Sequence, residues 1–194
     1  MSSKGKIFVI SGPSGSGKTT LAGKLLKDAQ LKNKLTRSIS FTTRPKRSIE
    51  KEGKDYFFLN ESRFRAGRDK KKILEWTRYL GYYYGTPKHF VEQRVKAGKS
   101  VVLCLDVKGA CRVKKLYPDT AVTIFVLPPS VKELHHRIKG RCLTAHEEIK
   151  KRLSLVDKEL AAAKRYDYRI LNRDLEVTVK KLKGILIREI KQTR

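Results

Sequence analysis

One stretch near the amino terminus carries the most specific chemistry in the chain. Gly12, Pro13, Ser14, Gly15, Ser16, Gly17, Lys18 and Thr19 match G-x-x-x-x-G-K-[ST], with a short apolar run before them and a helix-like stretch after. Glycines so placed let successive backbone N–H groups turn inward onto phosphate oxygens, and the helix amino terminus adds partial positive charge. Lys18 is expected at the β- and γ-phosphates of ATP, with the Thr19 hydroxyl on its Mg2+ and Thr20 completing the ATP-binding set. GTPases, ATPases, helicases and small-molecule kinases all use this motif, so a second site must decide the reaction.

Residues 38–58 read SISFTTRPKRSIEKEGKDYFF, and residues 75–86 read EWTRYLGYYYGT. These stretches resemble the acceptor lobe of the guanylate kinase family, S-x-S-x-T-T-R-x-x-R-x-x-E-x-x-G-x-D-Y-x-F followed by Glu-Trp and then Tyr-Gly-Ser/Thr. The resemblance runs essentially end to end, from the phosphate loop to a Tyr-Asp-Tyr…Asn that ends at Asn172. It implies a GMP-binding set of Ser40, Arg44, Arg47, Tyr56, Glu75, Tyr84, Thr86 and Asp106. It also implies catalytic roles for Lys18, Arg44, Arg137, Arg141 and Arg152, the last three as lid arginines, and a place for Asn172 at the adenine end of ATP.

The chemistry of the same residues agrees. Arg44 and Arg47, three apart among turn formers, suit bidentate binding of a phosphate dianion, and Tyr56 and Tyr84 can each donate a hydroxyl to it. Guanine presents N1–H and an N2 amine side by side, next to the O6 acceptor. A carboxylate such as Glu75 accepts both donors, and a hydroxyl from Ser40 or Thr86 serves O6. Adenine would set a lone pair against the carboxylate, a mismatch that a hydrogen-bonding site rejects strongly. Trp76 and Phe58 are expected in the core of the lobe. Phosphoryl transfer gathers negative charge on equatorial oxygens, which positioned arginines neutralise.

Three departures from the family pattern stand beside these matches. Cys104 occupies the first of two acidic positions, leaving Asp106 as the second, and Tyr82 stands where relatives usually carry Asn. Cys142 replaces the second glycine of a Gly-Arg-Gly, and reads as a tolerated substitution.

The elements that must hold these groups alternate. Lys6–Ile10, Val101–Leu105 and Ala121–Leu127 are continuous apolar runs suited to strands buried on both faces of a parallel sheet, and Tyr168–Leu171 is a shorter one. A helix is expected from Lys18 to about Ala29. Another should begin at Thr86-Pro87, read as an N-cap followed by proline, with Phe90, Val91 and Val95 inward. Ser130–Glu133 and Thr144–Glu147 fit the capping-box pattern. Behind the second, Ile149, Leu153, Val156 and Leu160 recur at helical spacing. Leu175, Val179, Leu182, Leu186 and Ile190 form the stripe of a last helix. The fold class is therefore α/β, and the resemblance makes it a P-loop nucleoside monophosphate kinase fold: a parallel-sheet core flanked by helices, with an inserted β-rich nucleotide-binding lobe and a helical lid. Residues 1–37, 86–131 and 156–194 are assigned to the core, 38–85 to the GMP-binding lobe and 132–155 to the lid, all within one domain.

Composition sets the outer bounds. The chain has 194 residues, 39% hydrophobic and 34% charged, room for one well-buried core. No apolar run reaches the about 18 residues of a membrane span, and Ile7–Ile10 is too short for a secretory segment, so a cytoplasmic protein is expected. Cys104, Cys111 and Cys142 share no metal-ligand spacing and read as reduced thiols. Lys plus Arg number 46 against 19 acidic residues, giving +27. That excess admits nucleic-acid association through phosphates. No stacking platform or helix-turn-helix accompanies it, so the favoured reading is solvated faces that steer anionic substrates. The partners expected are ATP and GMP, with no membrane, in a monomer or homodimer. Three alternatives stay open: a guanylate-kinase-like module that recognises phosphorylated peptides, a kinase of altered acceptor specificity, and a nucleic-acid-binding ATPase. Intact Gly17, Lys18 and Thr19 argue against the first.

Overall fold

The computed structural model describes residues 4–141 and 146–192, apart from the side chains of residues 139–141, 146–148 and 151. Cys142 and Thr144 lie outside the described residues.

The main sheet joins β1 (Ile7–Ser11), β2 (Leu35–Arg37), β7 (Ser100–Cys104), β8 (Ala121–Leu127) and β9 (Tyr168–Leu171), in the order β2-β7-β1-β8-β9. All its pairings are parallel; Ile7 lies opposite both Val101 and Ala121. Strand β1 is apolar from Ile7 to Ile10 because it is covered on both faces: Ile7 and Val9 join one core cluster, Phe8 and Ile10 the other. On the first face lie Val91 and Val95 of α3 (Lys88–Lys96) and Ala110 and Val113 of α4 (Val107–Leu116). On the second lie Leu21, Ala22 and Leu25 of α1 (Lys18–Lys27) and Leu182 and Leu186 of α8 (Leu175–Lys191). Each such side chain contributes about 1.5–3 kcal/mol through burial.

A second, four-stranded sheet has the order β4-β3-β6-β5, from β3 (Phe41–Thr42), β4 (Phe57–Phe58), β5 (Ile73–Tyr79) and β6 (Tyr82–Pro87). The β5–β6 pair is an antiparallel hairpin turned at Leu80 and Gly81, both at positive φ. Between β4 and β5 runs α2 (Glu61–Asp69), which sequence periodicity does not announce. Six basic side chains crowd residues 63–72, and only Phe64 is buried. Asn60 caps α2 by accepting from Arg63 N–H at 2.8 Å.

Helices α5 (Val131–Arg141), α6 (His146–Ser154) and α7 (Val156–Ala161) follow β8. The spaced residues Ile149, Leu153, Val156 and Leu160 pack there on Leu134 and Ile138, a third small core. Ser130 accepts from Glu133 N–H at 3.0 Å, one half of the expected capping box. A 3-10 turn, Ala162–Arg165, leads to β9. No described helix is long and apolar enough to cross a membrane.

Two expectations are corrected, and one strand is added. The first helix ends at Lys27 because Asp28 is extended and its N–H closes on Leu25. Thr86 does not cap α3: Pro87 is the cap residue, and the Thr86 hydroxyl is spent elsewhere. Edge strand β2, three residues long, was too short to be read as a strand.

Candidate active site

The Gly-rich loop turns sharply out of β1. Gly12, Gly15 and Gly17 have φ of 142°, 85° and 97°, values that side chains resist. Space forbids them too. A Cβ on Gly12 would run into the Val126 carbonyl, and one on Gly17 would lie 2.5 Å from Asn172 Nδ2. Gly17 is the N-cap of α1 and offers no capping side chain, so the first-turn N–H groups stay available to an anion. Lys18 Nζ donates to the Gly12 and Pro13 carbonyls at 2.6 and 2.8 Å, which holds it across the mouth of the loop. Pro13 also accepts from Ser16 N–H at 3.1 Å. Ser16 is buried, while Thr19 and Thr20 are exposed on the first turn of α1.

Asn172, expected at the adenine end of ATP, sits beneath this loop. It is buried, its amide donates to the Ser16 carbonyl at 2.8 Å, and its N–H bonds Leu127. It ties the loop to the end of β9.

The helices after β8 close on the loop from above. Leu134 and Ile138 of α5 lie where a Gly15 side chain would go. Arg152 of α6 donates to Ser14 Oγ at 2.8 Å. Arg137 pairs with Glu133 one turn back, Nε to Oε1 at 2.9 Å. Arg141 is the last residue of α5, and its side chain falls outside those described.

Across the cleft, the second sheet assembles the acceptor residues. Glu75 on β5 is 2% exposed and accepts from the Thr86 hydroxyl at 2.6 Å. Burial pushes its pKa up to about 7; the Thr86 bond opposes this and nearby Asp106 adds to it. A Cβ on Gly109 would meet Glu75 Oε2 at 2.7 Å, so the first turn of α4 walls the carboxylate in. Asp106 caps α4, accepting from Gly109 N–H at 2.7 Å. Ser40 is half-buried just before β3.

Arg44 lies over the Tyr56 ring, 5.6 Å from its centroid, and the Tyr56 and Tyr84 rings meet edge to face at 5.9 Å. Burial holds the Tyr56 hydroxyl above its ordinary range, so it is a donor at neutral pH. Glu50, the glutamate of the acceptor motif, has a role that the sequence leaves unassigned. One oxygen accepts from Arg44 Nη2 at 2.6 Å and the other from Arg47 N–H at 2.9 Å. Burial would raise its pKa, but the Arg44 bond and the Arg47 N–H bring it below the usual carboxylate range. Its signal was spacing, a carboxylate three residues beyond the second arginine.

Glu159 on α7 was also missed. Its Oε2 is buried without a hydrogen-bond partner among the described residues. Burial lifts its pKa to about 7, against the pull of Lys18. Of the expected lobe aromatics, Phe58 and Trp76 are both half-buried; Trp76 packs edge to face on Tyr83 with Arg68 over its ring. Cys104 ends β7 with its Sγ 3.9 Å from the Lys18 carbonyl, its thiol pushed up by burial. Tyr82 is exposed on the β5–β6 hairpin.

A parallel sheet of this order, a glycine loop leading into α1, and a small separate sheet facing it make up the α/β fold of the P-loop nucleoside monophosphate kinases. The comparisons with known proteins narrow that class. The guanylate kinase family model matches residues 4–189. The chain is 43% identical over 187 residues to the guanylate kinase of Caldanaerobacter subterraneus subsp. tengcongensis, covering 96% of this chain and 88% of that one. It is 43% identical over 183 residues to that of Thermotoga maritima, covering 94% and 86%. The crystal structure of guanylate kinase from Anaplasma phagocytophilum superposes with a TM-score of 0.80 at 33% identity, covering 96% and 87%. The chain belongs to the guanylate kinase family.

Proposed function

We propose that this chain transfers the γ-phosphoryl group of MgATP to GMP, giving ADP and GDP, in the cytoplasm. The observation that carries the acceptor assignment is the buried pair Glu75 and Thr86, a carboxylate walled in by Gly109 and already holding one hydroxyl. Ionised Glu75 accepts from guanine N1–H and N2–H. Because the Thr86 O–H is donated to Glu75, its oxygen is left to accept from the N2 amine, and the O6 donor falls to Ser40. The acceptor phosphate meets Arg44, Arg47, Tyr56 and Tyr84, with Glu50 holding the Arg44 guanidinium and tying down the Arg47 backbone. Asp106 fixes the α4 turn against which the nucleoside lies.

The donor nucleotide lies on residues Gly12 to Thr20, with Lys18 leaving the Gly12 and Pro13 carbonyls for the β- and γ-phosphates. Divalent metal fits here: the Thr19 hydroxyl is exposed on the turn that receives the phosphates. Mg2+ bound with ATP neutralises charge on the β- and γ-oxygens. Residues 38–85 act as the GMP-binding lobe and 132–155 as a lid on the core formed by the rest. Arg137, Arg141 and Arg152 neutralise charge on the phosphoryl group in flight, and the closed lid excludes water that would hydrolyse ATP. The acceptor phosphate is its own nucleophile and needs little help from a base, so rate comes from positioning and charge neutralisation.

The test is Glu75→Gln. Gln keeps one acceptor oxygen but sets an amide donor against a guanine donor. The expected result is a GMP KM raised about 100-fold with ATP KM unchanged. An unchanged GMP KM would contradict the assignment.

A further inference from the structure

Arg37 ends β2 at the carboxyl edge of the main sheet, where ligands of open α/β folds lie. Its register partner is Val102, and Leu35 and Val102 both belong to the core cluster beneath α1. Alternation therefore puts the Arg37 side chain on the α1 face, next to Cys104 two residues beyond Val102 on the same face. Cys104 in turn touches the Lys18 carbonyl at the start of α1. The Arg37 charge is felt on two sides. Burial raises both the Cys104 thiol and the Tyr56 hydroxyl, and at each the guanidinium works against it. Arg37 thus lies beside the strand end that touches the phosphate-loop helix, and its charge reaches the tyrosine assigned to the acceptor phosphate.

Its Nε is buried and has no hydrogen-bond partner among the described residues. Leaving such a donor unpaired costs about 1–3 kcal/mol, and native chains rarely do so without a reason. Cys104 offers only a weak sulfur acceptor, and no ion pair to Arg37 forms among the described residues. An Nε–H beside an Nη–H forms a side-on fork that fits two oxygens of a phosphate.

We propose that Arg37 is a further binding residue of the transfer site, donating from Nε and an adjacent Nη to the phosphate of the acceptor nucleotide as it approaches Lys18. The assignment rests on the GMP-kinase reading above. It also gives a reason for the unpaired donor: the free protein holds it ready, and the acceptor phosphate completes it. A cation here offsets the repulsion between a dianion and a triphosphate brought to reacting distance.

The experiment compares native protein, Arg37→Met and Arg37→Lys by steady-state kinetics, by calorimetric GMP and ATP binding, and by melting with and without GMP. In Arg37→Met, GMP KM and Kd rise at least tenfold, ATP values stay within twofold, and the free protein melts no lower than native because an unsatisfied donor has gone. Arg37→Lys recovers part of the GMP affinity, as a point charge without the fork. Unchanged GMP binding in Arg37→Met overturns the inference while leaving the kinase reading intact. So does an equal loss of both substrates with a lower melting temperature, which would mark a structural role. A native protein that neither binds nor phosphorylates GMP overturns the kinase reading, and the inference with it.

Discussion

Glu75 is the residue on which specificity turns, and its environment makes that specificity depend on pH. A buried carboxyl with its pKa near 7 is largely protonated at pH 6, and then offers guanine one good acceptor instead of two. GMP affinity should therefore fall about tenfold per pH unit below 7. The phosphate of GMP titrates nearby, so the measure is the native profile divided by that of Glu75→Gln, in which only the phosphate remains. A ratio independent of pH between 5.5 and about 7 would contradict the assignment. Stability follows the same group with a definite sign. The folded pKa is raised from 4.5, so its contribution is complete below about 4.5 and is lost as pH rises through about 7. Relative to native, Glu75→Gln should gain ~3 kcal/mol of unfolding free energy between about pH 4.5 and pH 8, read by denaturant titration. Glu159 titrates in the same window but is common to both proteins.

At the scale of elements, the first turn of α4 decides where that carboxylate sits. Gly109→Ala should improve helix propensity by about 1 kcal/mol, yet its Cβ would meet Glu75 Oε2 at 2.7 Å. A side-chain tip can move, so the melting temperature should hold while GMP KM rises about tenfold. Unchanged GMP KM would show that α4 does not position Glu75. The elements also differ in how far their sequence announces them. Strands β1, β7 and β8 are plain in the sequence because a strand covered on both faces is apolar along most of its length, as Ile7 to Ile10 are; edge strand β9 is plain only through Ile170 and Leu171, with Arg169 exposed beside them. The phosphate loop is plain because only glycine tolerates φ of 85° and 97° in that space. Helix α2 is hidden because one buried Phe64 cannot set a period against so many charges. Thr86 reads as a cap because its neighbour is proline, and only the fold reveals Glu75 as the partner of its hydroxyl. The roles of Glu50, which the motif marks only by its spacing, and of Arg37, which nothing marks, are hidden for the same reason. Their roles depend on what the folded chain sets beside them, or leaves unpaired.

Over the whole molecule, the +27 charge exceeds anything the phosphate sites require. It is spread along the chain rather than gathered on one element, α2 and α8 together carrying only eight of the 46 basic residues, so that exposed lysines and arginines act together as a field. Such a field speeds the encounter with anionic nucleotides and is screened over about 8–30 Å as salt varies from about 0.15 to 0.01 M. Across that range kcat/KM for GMP should fall severalfold as salt rises, with kcat steady, since bound substrates are shielded from solvent. A fall in kcat of the same size would contradict steering and place the salt effect inside the closed site.

The most direct test of the central claim is nucleoside-diphosphate formation from MgATP with GMP, IMP, AMP, CMP and UMP in parallel, for native protein and Lys18→Ala. The account predicts fast transfer to GMP and transfer to IMP slower by about 100-fold, since IMP keeps N1–H but lacks the amine that Glu75 and Thr86 read. It predicts no measurable transfer to the other three, and a loss of about 1,000-fold in Lys18→Ala. Transfer to AMP at the GMP rate, or ATP bound with no transfer to any acceptor, would contradict it.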